Sequence, residues 1–188
     1  LNLSGFYYNY QNYQSFELAG LSLVVRNKRA FAKGFEAEFN TRPVNGLYLQ
    51  ANMAVLDATV KNVTLPSGEV ADRRMAQAPK FTASALLRYE FDAGAGKLAM
   101  QTNWKYNSSQ YFSTFNAPVD LQDGYVIGDA RISYEFANIP LEAAVFVNNL
   151  TDKRYLIYNL DLSGPLGITQ QTFGRPRWFG GSLTVRFR

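Results

Sequence analysis

The stretch Lys80-Phe81-Thr82-Ala83-Ser84-Ala85-Leu86-Leu87-Arg88-Tyr89-Glu90-Phe91 decides how this chain folds. Its odd positions are Phe81, Ala83, Ala85, Leu87, Tyr89 and Phe91; its even positions are Lys80, Thr82, Ser84, Leu86, Arg88 and Glu90. Successive side chains of a β-strand point to opposite faces. The segment therefore reads as a strand with one apolar, aromatic-ended face and one mostly polar and charged face. The same period of two runs outward in both directions. Toward the C-terminus, Leu98, Met100, Thr102, Trp104 and Tyr106 alternate with Lys97, Gln101, Asn103 and Lys105. Val126, Gly128, Ala130, Ile132, Tyr134 and Phe136 alternate with Asp129, Arg131, Ser133 and Glu135, and Phe179, Gly181, Leu183, Val185 and Phe187 with Ser182, Thr184 and Arg186. Toward the N-terminus, Leu47, Leu49, Ala51, Met53 and Val55 alternate with Tyr48, Gln50, Asn52 and Ala54.

The connections fall into two kinds. Arg42-Pro43-Val44-Asn45-Gly46, Asp92-Ala93-Gly94-Ala95-Gly96 and Ala137-Asn138-Ile139-Pro140 are short and rich in turn formers. Longer connections are predicted near 60–78, 113–123 and 159–174, and another near 13–21. About eight strands result, near 2–12, 22–41, 46–59, 79–91, 97–112, 124–136, 140–158 and 175–187. Short and long connections alternate strictly, as in transmembrane barrels, where short periplasmic turns lie on one rim and long extracellular loops on the other. The short turns also follow aromatic strand ends, Tyr89 and Phe91 before Asp92, Tyr134 and Phe136 before Ala137. That placement fits an interfacial aromatic girdle. It puts Phe187 and Leu1 at the periplasmic rim.

Alternation alone does not say which face is inside. A soluble, lipocalin-like barrel would turn the apolar face inward. The polar face carries Lys80, Arg88, Glu90, Lys105, Asp129, Arg131, Glu135, Glu142 and Arg186. The opposite assignment lines a wide lumen with these charges and gives the apolar face to lipid. It avoids placing charges in a closed dry core, each of which costs several kcal/mol unless paired.

Composition narrows the function classes. The 188 residues include no Cys and no His, which removes disulfides, thiolate chemistry, His-based triads and the usual zinc sites. No enzymatic activity, cofactor or metal is expected. The net charge of +4 is scattered among acidic residues, unlike the one-sided basic patch of a nucleic-acid binder. Aromatic residues make up 15%, a supply that interfacial girdles use, though an aromatic-rich soluble sandwich would use it as well. No apolar run reaches the length of a membrane-spanning helix. The N-terminal Leu1-Asn2-Leu3-Ser4 lacks the marks of a signal peptide, so a mature chain or a fragment beginning mid-protein is expected.

Three strings carry a family resemblance. Val147-Asn148-Asn149-Leu150-Thr151-Asp152-Lys153-Arg154-Tyr155 resembles the N-L-x-D-x-x-Y signature of TonB-dependent receptors. Phe173-Gly174-Arg175-Pro176-Arg177 resembles the G-x-P-R segment that leads into their closing strand, and Lys33-Gly34-Phe35-Glu36-Ala37-Glu38 is similar to their K-G-x-E-x-E strand. The resemblance covers residues 1–188 as the C-terminal part of an outer-membrane barrel of about 22 strands, with the plug domain and N-terminal strands outside this sequence. It implies residence in the outer membrane of a Gram-negative bacterium and energised uptake of a scarce ligand. That ligand is commonly a ferric siderophore, sometimes haem, cobalamin or a glycan. The implied partners are TonB, reached through the plug segment, the barrel-assembly machinery and lipid. Family barrels usually end on an aromatic residue, whereas here Phe187 is followed by Arg188. The alternative is a free-standing eight-stranded barrel with a structural or adhesive role, eight being a permitted strand number.

Individual residues have two readings each. Asn149 breaks the alternation of Leu141, Ala143, Val145 and Val147, which predicts a β-bulge held by Asx hydrogen bonds rather than a ligand contact. With it, Leu150, Asp152, Tyr155, Gly174, Pro176 and Phe187 are read as structural, Pro176 marking a strand start. Gly34, Gly128, Gly180 and Gly181 are expected to be simple strand kinks. Glu36 and Glu38 share a face but have no base or nucleophile near them in sequence. They are expected to form cross-strand ladders or contacts to a plug. For the ligand, Tyr111, Phe112 and Phe115 are candidates to stack on aromatic groups, and Arg73 and Arg74 to meet an anion. The plainer reading makes them exposed loop residues or part of an upper aromatic belt.

Overall fold

The computed structural model describes residues 1–19 and 22–187. Its strands are β1 (Asn2–Ala19), β2 (Ser22–Thr41), β3 (Leu47–Thr64), β4 (Val70–Arg74), β5 (Phe81–Asp92), β6 (Gly96–Asn107), β7 (Gln110–Tyr111), β8 (Leu121–Gln122), β9 (Tyr125–Phe136), β10 (Leu141–Asn148), β11 (Leu156–Leu162), β12 (Ile168–Phe173) and β13 (Trp178–Val185). One antiparallel sheet runs in the order β1-β2-β3-β5-β6-β9-β10-β13, with β4 attached to β3. The pairs β7-β8 and β11-β12 form two small sheets of their own. The all-β, eight-stranded antiparallel path agrees with the sequence reading. Among the described residues β1 and β13 do not pair, so the sheet stays open at both edges. A barrel closed at eight strands is therefore not what this chain forms.

The register fixes the two faces. Leu87 sits opposite Leu49 and Thr102, while Arg88 sits opposite Tyr48 and Gln101. On the polar face an ion-pair chain joins β9, β10 and the end of β13. Arg131 Nη2 meets Glu142 Oε1 at 2.9 Å, Arg186 Nη2 meets Glu142 Oε2 at 3.2 Å, and Arg186 Nη1 meets Glu135 Oε1 at 2.8 Å. Arg88 pairs with Glu90 at 2.8 Å on the same face. The opposite face presents Leu87, Met100, Ile132, Val145 and Leu183, each between 41% and 75% exposed with no protein layer over them. A contiguous apolar surface of this extent needs an apolar surrounding. At the short-turn end, Tyr89 and Phe91 lie 5.4 Å apart and Tyr134 and Phe136 lie 4.9 Å apart, as the girdle reading expects.

Several boundaries differ from the sequence reading, each for a local reason. The connection expected near 13–21 is ladder as far as it is described: β1 continues to Ala19, which pairs with Ser22, after an irregularity between Tyr10 and Tyr13. Residues 20 and 21 lie outside the described residues, as does Arg188. The connection near 60–78 folds back as the β3-β4 hairpin, and that near 159–174 is the β11-β12 hairpin, turned by the helical Ser163–Leu166. The expected strand 140–158 is cut at Asn148. Asn149 and Asp152 both adopt left-handed φ of 52°, so the alternation break ends the strand rather than bulging it. The strand expected over 97–112 stops at Asn107, and that over 175–187 begins at Trp178, two residues after Pro176.

Three of the glycines expected to be kinks have a packing role. Gly34 faces Phe6, Gly128 faces Trp104 and Gly180 faces Phe146 across the ladder. In each case the partner ring lies within 2.4–2.7 Å of where a Cβ would stand. The aromatic ring covers the bare backbone of its neighbour, a cross-strand pairing that pins register. Glu38 accepts a bond from Asn2 Nδ2 at 3.5 Å and Glu36 from Ser4 Oγ at 3.4 Å, polar partners rather than a ladder of charges.

The face assignment predicts unequal costs for two neighbouring substitutions. Leu87→Arg should destabilise the folded protein in lipid by roughly 2–4 kcal/mol at mid-bilayer depth, and Ser84→Arg by much less. Denaturant unfolding in lipid vesicles measures both, and equal costs would contradict the assignment.

Candidate functional site

The long-connection end of the sheet is where side chains from distant parts of the chain converge. The residues of the two C-terminal motifs form one knot there. Asn149 is buried, and its side chain serves four bonds. Nδ2 donates to the carbonyls of Lys153 and Arg175, each at 3.0 Å, while Oδ1 accepts from Lys153 N at 3.0 Å and Thr151 Oγ1 at 3.1 Å. Its own backbone N–H donates to Asp129 Oδ1 on β9 at 2.9 Å. Asp152 then accepts from the backbone and guanidinium of Arg177, at 3.1 and 3.4 Å. Tyr155 stacks on Tyr125 with ring centres 4.7 Å apart. Gly174 N–H donates to Tyr155 O at 2.9 Å, and a Cβ on Gly174 would stand 2.2 Å from the Tyr155 ring. The spacing of the two motifs thus has one physical cause. A chain leaving the sheet after β10 must return to start β13, and the Asx turn and the tyrosine ring clamp the departing and returning segments together.

The ligand candidates lie in one region, with Arg73 and Arg74 on opposite faces of the β3-β4 hairpin. Arg74 closes the β3-β4 hairpin opposite Thr59, and its guanidinium lies 5.3 Å from the centre of the Tyr111 ring while Nη2 donates to Ser109 O at 2.6 Å. Arg73, opposite Val60, points to the other face; it is half-buried and its Nε has no hydrogen-bond partner in the structure. Phe112 is half-buried, with its backbone N–H on Asp120 O at 2.9 Å. Phe115 packs against Ala30, Val60 and Val63. Within the same hairpin, Asp72 accepts from Lys61 Nζ and Asn62 N. The lysine contact, then the backbone one, holds its carboxyl below the usual carboxylate range.

Sequence reasoning did not find the polar side chains that organise this cluster. Asp120 is 1% exposed and accepts from Ser113 Oγ and from Asn159 Nδ2 at 2.7 Å. Asn116 bonds the backbone of Arg74 in both directions, at 2.7 and 3.0 Å. Gln122 Oε1 accepts from Leu156 N at 2.7 Å. Isolated Asp, Asn and Gln in loops carry no sequence period, so nothing in their spacing marks them. Among the described residues no group of His, Cys, Asp or Glu has the arrangement of a metal site.

An antiparallel sheet with an apolar outer face, a charged inner face and all its knots at one end defines the wall of a transmembrane barrel. Residues 1–150 match the family model described as TonB dependent receptor-like, beta-barrel, and the chain belongs to that family. Solved structures agree in fold. The ferric yersiniabactin uptake receptor FyuA from Yersinia pestis superposes with a TM-score of 0.75 at 21% identity, over 88% of this chain and 25% of that one. The pyoverdine outer membrane receptor FpvA from Pseudomonas aeruginosa PAO1 gives 0.68 at 20%, over 98% and 27%. The siderophore receptor PiuA from Acinetobacter baumannii gives 0.68 at 20%, over 96% and 25%. The chain thus spans about a quarter of the length of the structures it matches.

The knot makes a double-mutant prediction. Gly174→Ala should destabilise the fold by on the order of 2 kcal/mol or more, because the new methyl meets a packed ring. In a Tyr155→Ala background the same change should cost little, and the coupling should be visible in denaturant unfolding. Additive costs would mean that the ring and the glycine are not in contact.

Proposed function

We propose that this chain is the C-terminal part of the barrel of an outer-membrane receptor that takes up a ferric siderophore, energised through TonB, in a Gram-negative bacterium. The plug domain and the remaining strands belong to the same protein upstream. The observation that carries the reading is the open, two-faced sheet. Unpaired backbone groups on β1 and β13 would cost several kcal/mol each in hydrocarbon, so both edges require further strands. A barrel closed at eight would have room only for side chains, whereas a larger one gives the inner-face charges a lumen to line. The fold shared with siderophore receptors supports the ligand class. The barrel-assembly machinery and outer-membrane lipid are the partners this location implies.

In this reading Arg73, on the inner face with Val60, supplies positive charge toward an anionic ferric complex, and Arg74 holds the Tyr111 ring. Tyr111 and Phe112 supply ring faces, and Phe115 holds their loop in place. The chain contributes transport wall and loops rather than catalytic groups.

The test uses the full-length protein that contains this chain, expressed in a strain lacking its own siderophore receptors. Iron-limited uptake of labelled ferric siderophores of the catecholate, hydroxamate and mixed classes should show saturable transport of at least one, abolished by deleting TonB. Arg73→Glu should lower affinity for that siderophore roughly tenfold or more, as expected for replacing a charge-assisted contact by a repulsive one. Uptake that persists without TonB would overturn the reading. So would the failure of every class to bind.

A further inference from the structure

A single sheet leaves the side chains of its inner face open, so full burial there marks where another segment lies across it. Ser15, Ala30, Val60 and Val63 are each no more than 1% exposed. The register pairs Ala30 with Val60 and Val60 with Arg73, and a shift between Val60 and Val63, with Asn62 at φ 54°, turns Val63 to the same side. Tyr13, Leu65, Met75 and Phe115 pack over this cluster. Phe115 comes from far away, in the connection between β6 and β9. In sheet order β6 stands four strands from β1, about 19 Å at the usual inter-strand spacing. The extended chain from Asn107 to Thr114 reaches about 23 Å, enough to cross β5, β3 and β2.

The crossing segment is fastened at both ends. Thr114 Oγ1 lies 2.9 Å from Ser15 Oγ, a buried hydroxyl pair joining positions 99 residues apart. Asn116 holds the backbone of Arg74 on either side, and Phe115 fills the apolar cluster. At the other end the buried Asp120 ties Ser113 and Asn159 together, and so links the segment to β11. Releasing it would expose an aromatic ring and break the buried hydrogen bonds of Ser15, Thr114 and Asp120.

We propose that residues 112–120 are a fixed strap across the inner face at the mouth of the wall, and that ligand passes beside it without the strap moving. This rests on the transport reading above. The test is a Ser15→Cys/Thr114→Cys variant of the full-length protein, since this chain has no cysteine of its own and the two hydroxyls it replaces are in direct contact. The disulfide should form in membranes without added siderophore, and uptake should be the same before and after reduction. Uptake that is lost in the oxidised protein and restored by reduction would make the strap a lid and overturn the proposal. Absence of the disulfide in folded protein would show that the strap is not seated, with the same result. Amide exchange of residues 112–120 in the unmodified receptor is the second measurement. Slow exchange that ferric siderophore leaves unchanged is expected, and exchange at the rate of an open loop would overturn the proposal. A protein that transports nothing in either redox state would count against the transport reading, and the exchange measurement would still decide on the strap.

Discussion

In hydrocarbon a backbone N–H or C=O has no water to turn to, and the rest of this structure depends on that constraint. It forces the chain into one continuous ladder from β1 to β13, with each strand bonded to the next in the path. Once the ladder is fixed, the period of two decides everything about side chains. Leu87, Ile132 and Val185 must face one way because Arg88, Arg131 and Arg186 face the other. The charges on the inner face then meet neighbours of opposite sign, as Arg186 meets both Glu135 and Glu142. The Arg186–Glu135 pair is at least half exposed on both sides and contributes little to stability, whereas Glu142 is mostly covered and is held between Arg131 and Arg186. Their importance is that the sheet places them where water or a polar partner can reach them.

Beyond the membrane-spanning part the constraint lifts, and the chain uses other means. Left-handed asparagines and aspartates appear at Asn62, Asn116, Asn149 and Asp152, where the path bends sharply. Such residues tolerate that conformation because their side chains bond the local backbone. A single-layer wall has no core, so the long connections build small ones. Ala30, Val60 and Val63 under Phe115 are one, and the Tyr125–Tyr155 stack is another. Each joins segments far apart in sequence, which is how loops on a barrel rim become ordered without a second sheet.

The strands were legible in the sequence because lipid and lumen impose opposite chemistry at every step, and that difference survives in composition. The short turns were legible because Gly, Pro, Asn and Asp mark them. The rim is less legible. Residues 13–19 continue the ladder, yet their mixed Tyr, Gln, Ser and Glu gave no clean alternation, since outside the bilayer neither face is constrained. The break in the pattern marks Asn149 as structural but does not say how large the break is. A bulge and a strand end disturb the same alternation, and only the return of Arg175 and Arg177 to Asn149 and Asp152 separates them. Asp120 and Asn116 were invisible, because a polar loop residue that is buried looks in sequence like one that is not.

Placing a single cysteine at each position from Thr82 to Phe91, in a chain that has none of its own, tests the two-faced wall most directly. Each variant of the full-length protein would carry a nitroxide spin label in lipid vesicles. Its relaxation would be read with oxygen, which concentrates in lipid, and with a polar nickel chelate, which stays in water. Ala83, Ala85, Leu87, Tyr89 and Phe91 should favour oxygen, and Thr82, Ser84, Leu86, Arg88 and Glu90 the chelate, in strict alternation. A profile without that period, or one with the two sets exchanged, would contradict the assignment of lipid and lumen faces on which the whole account rests.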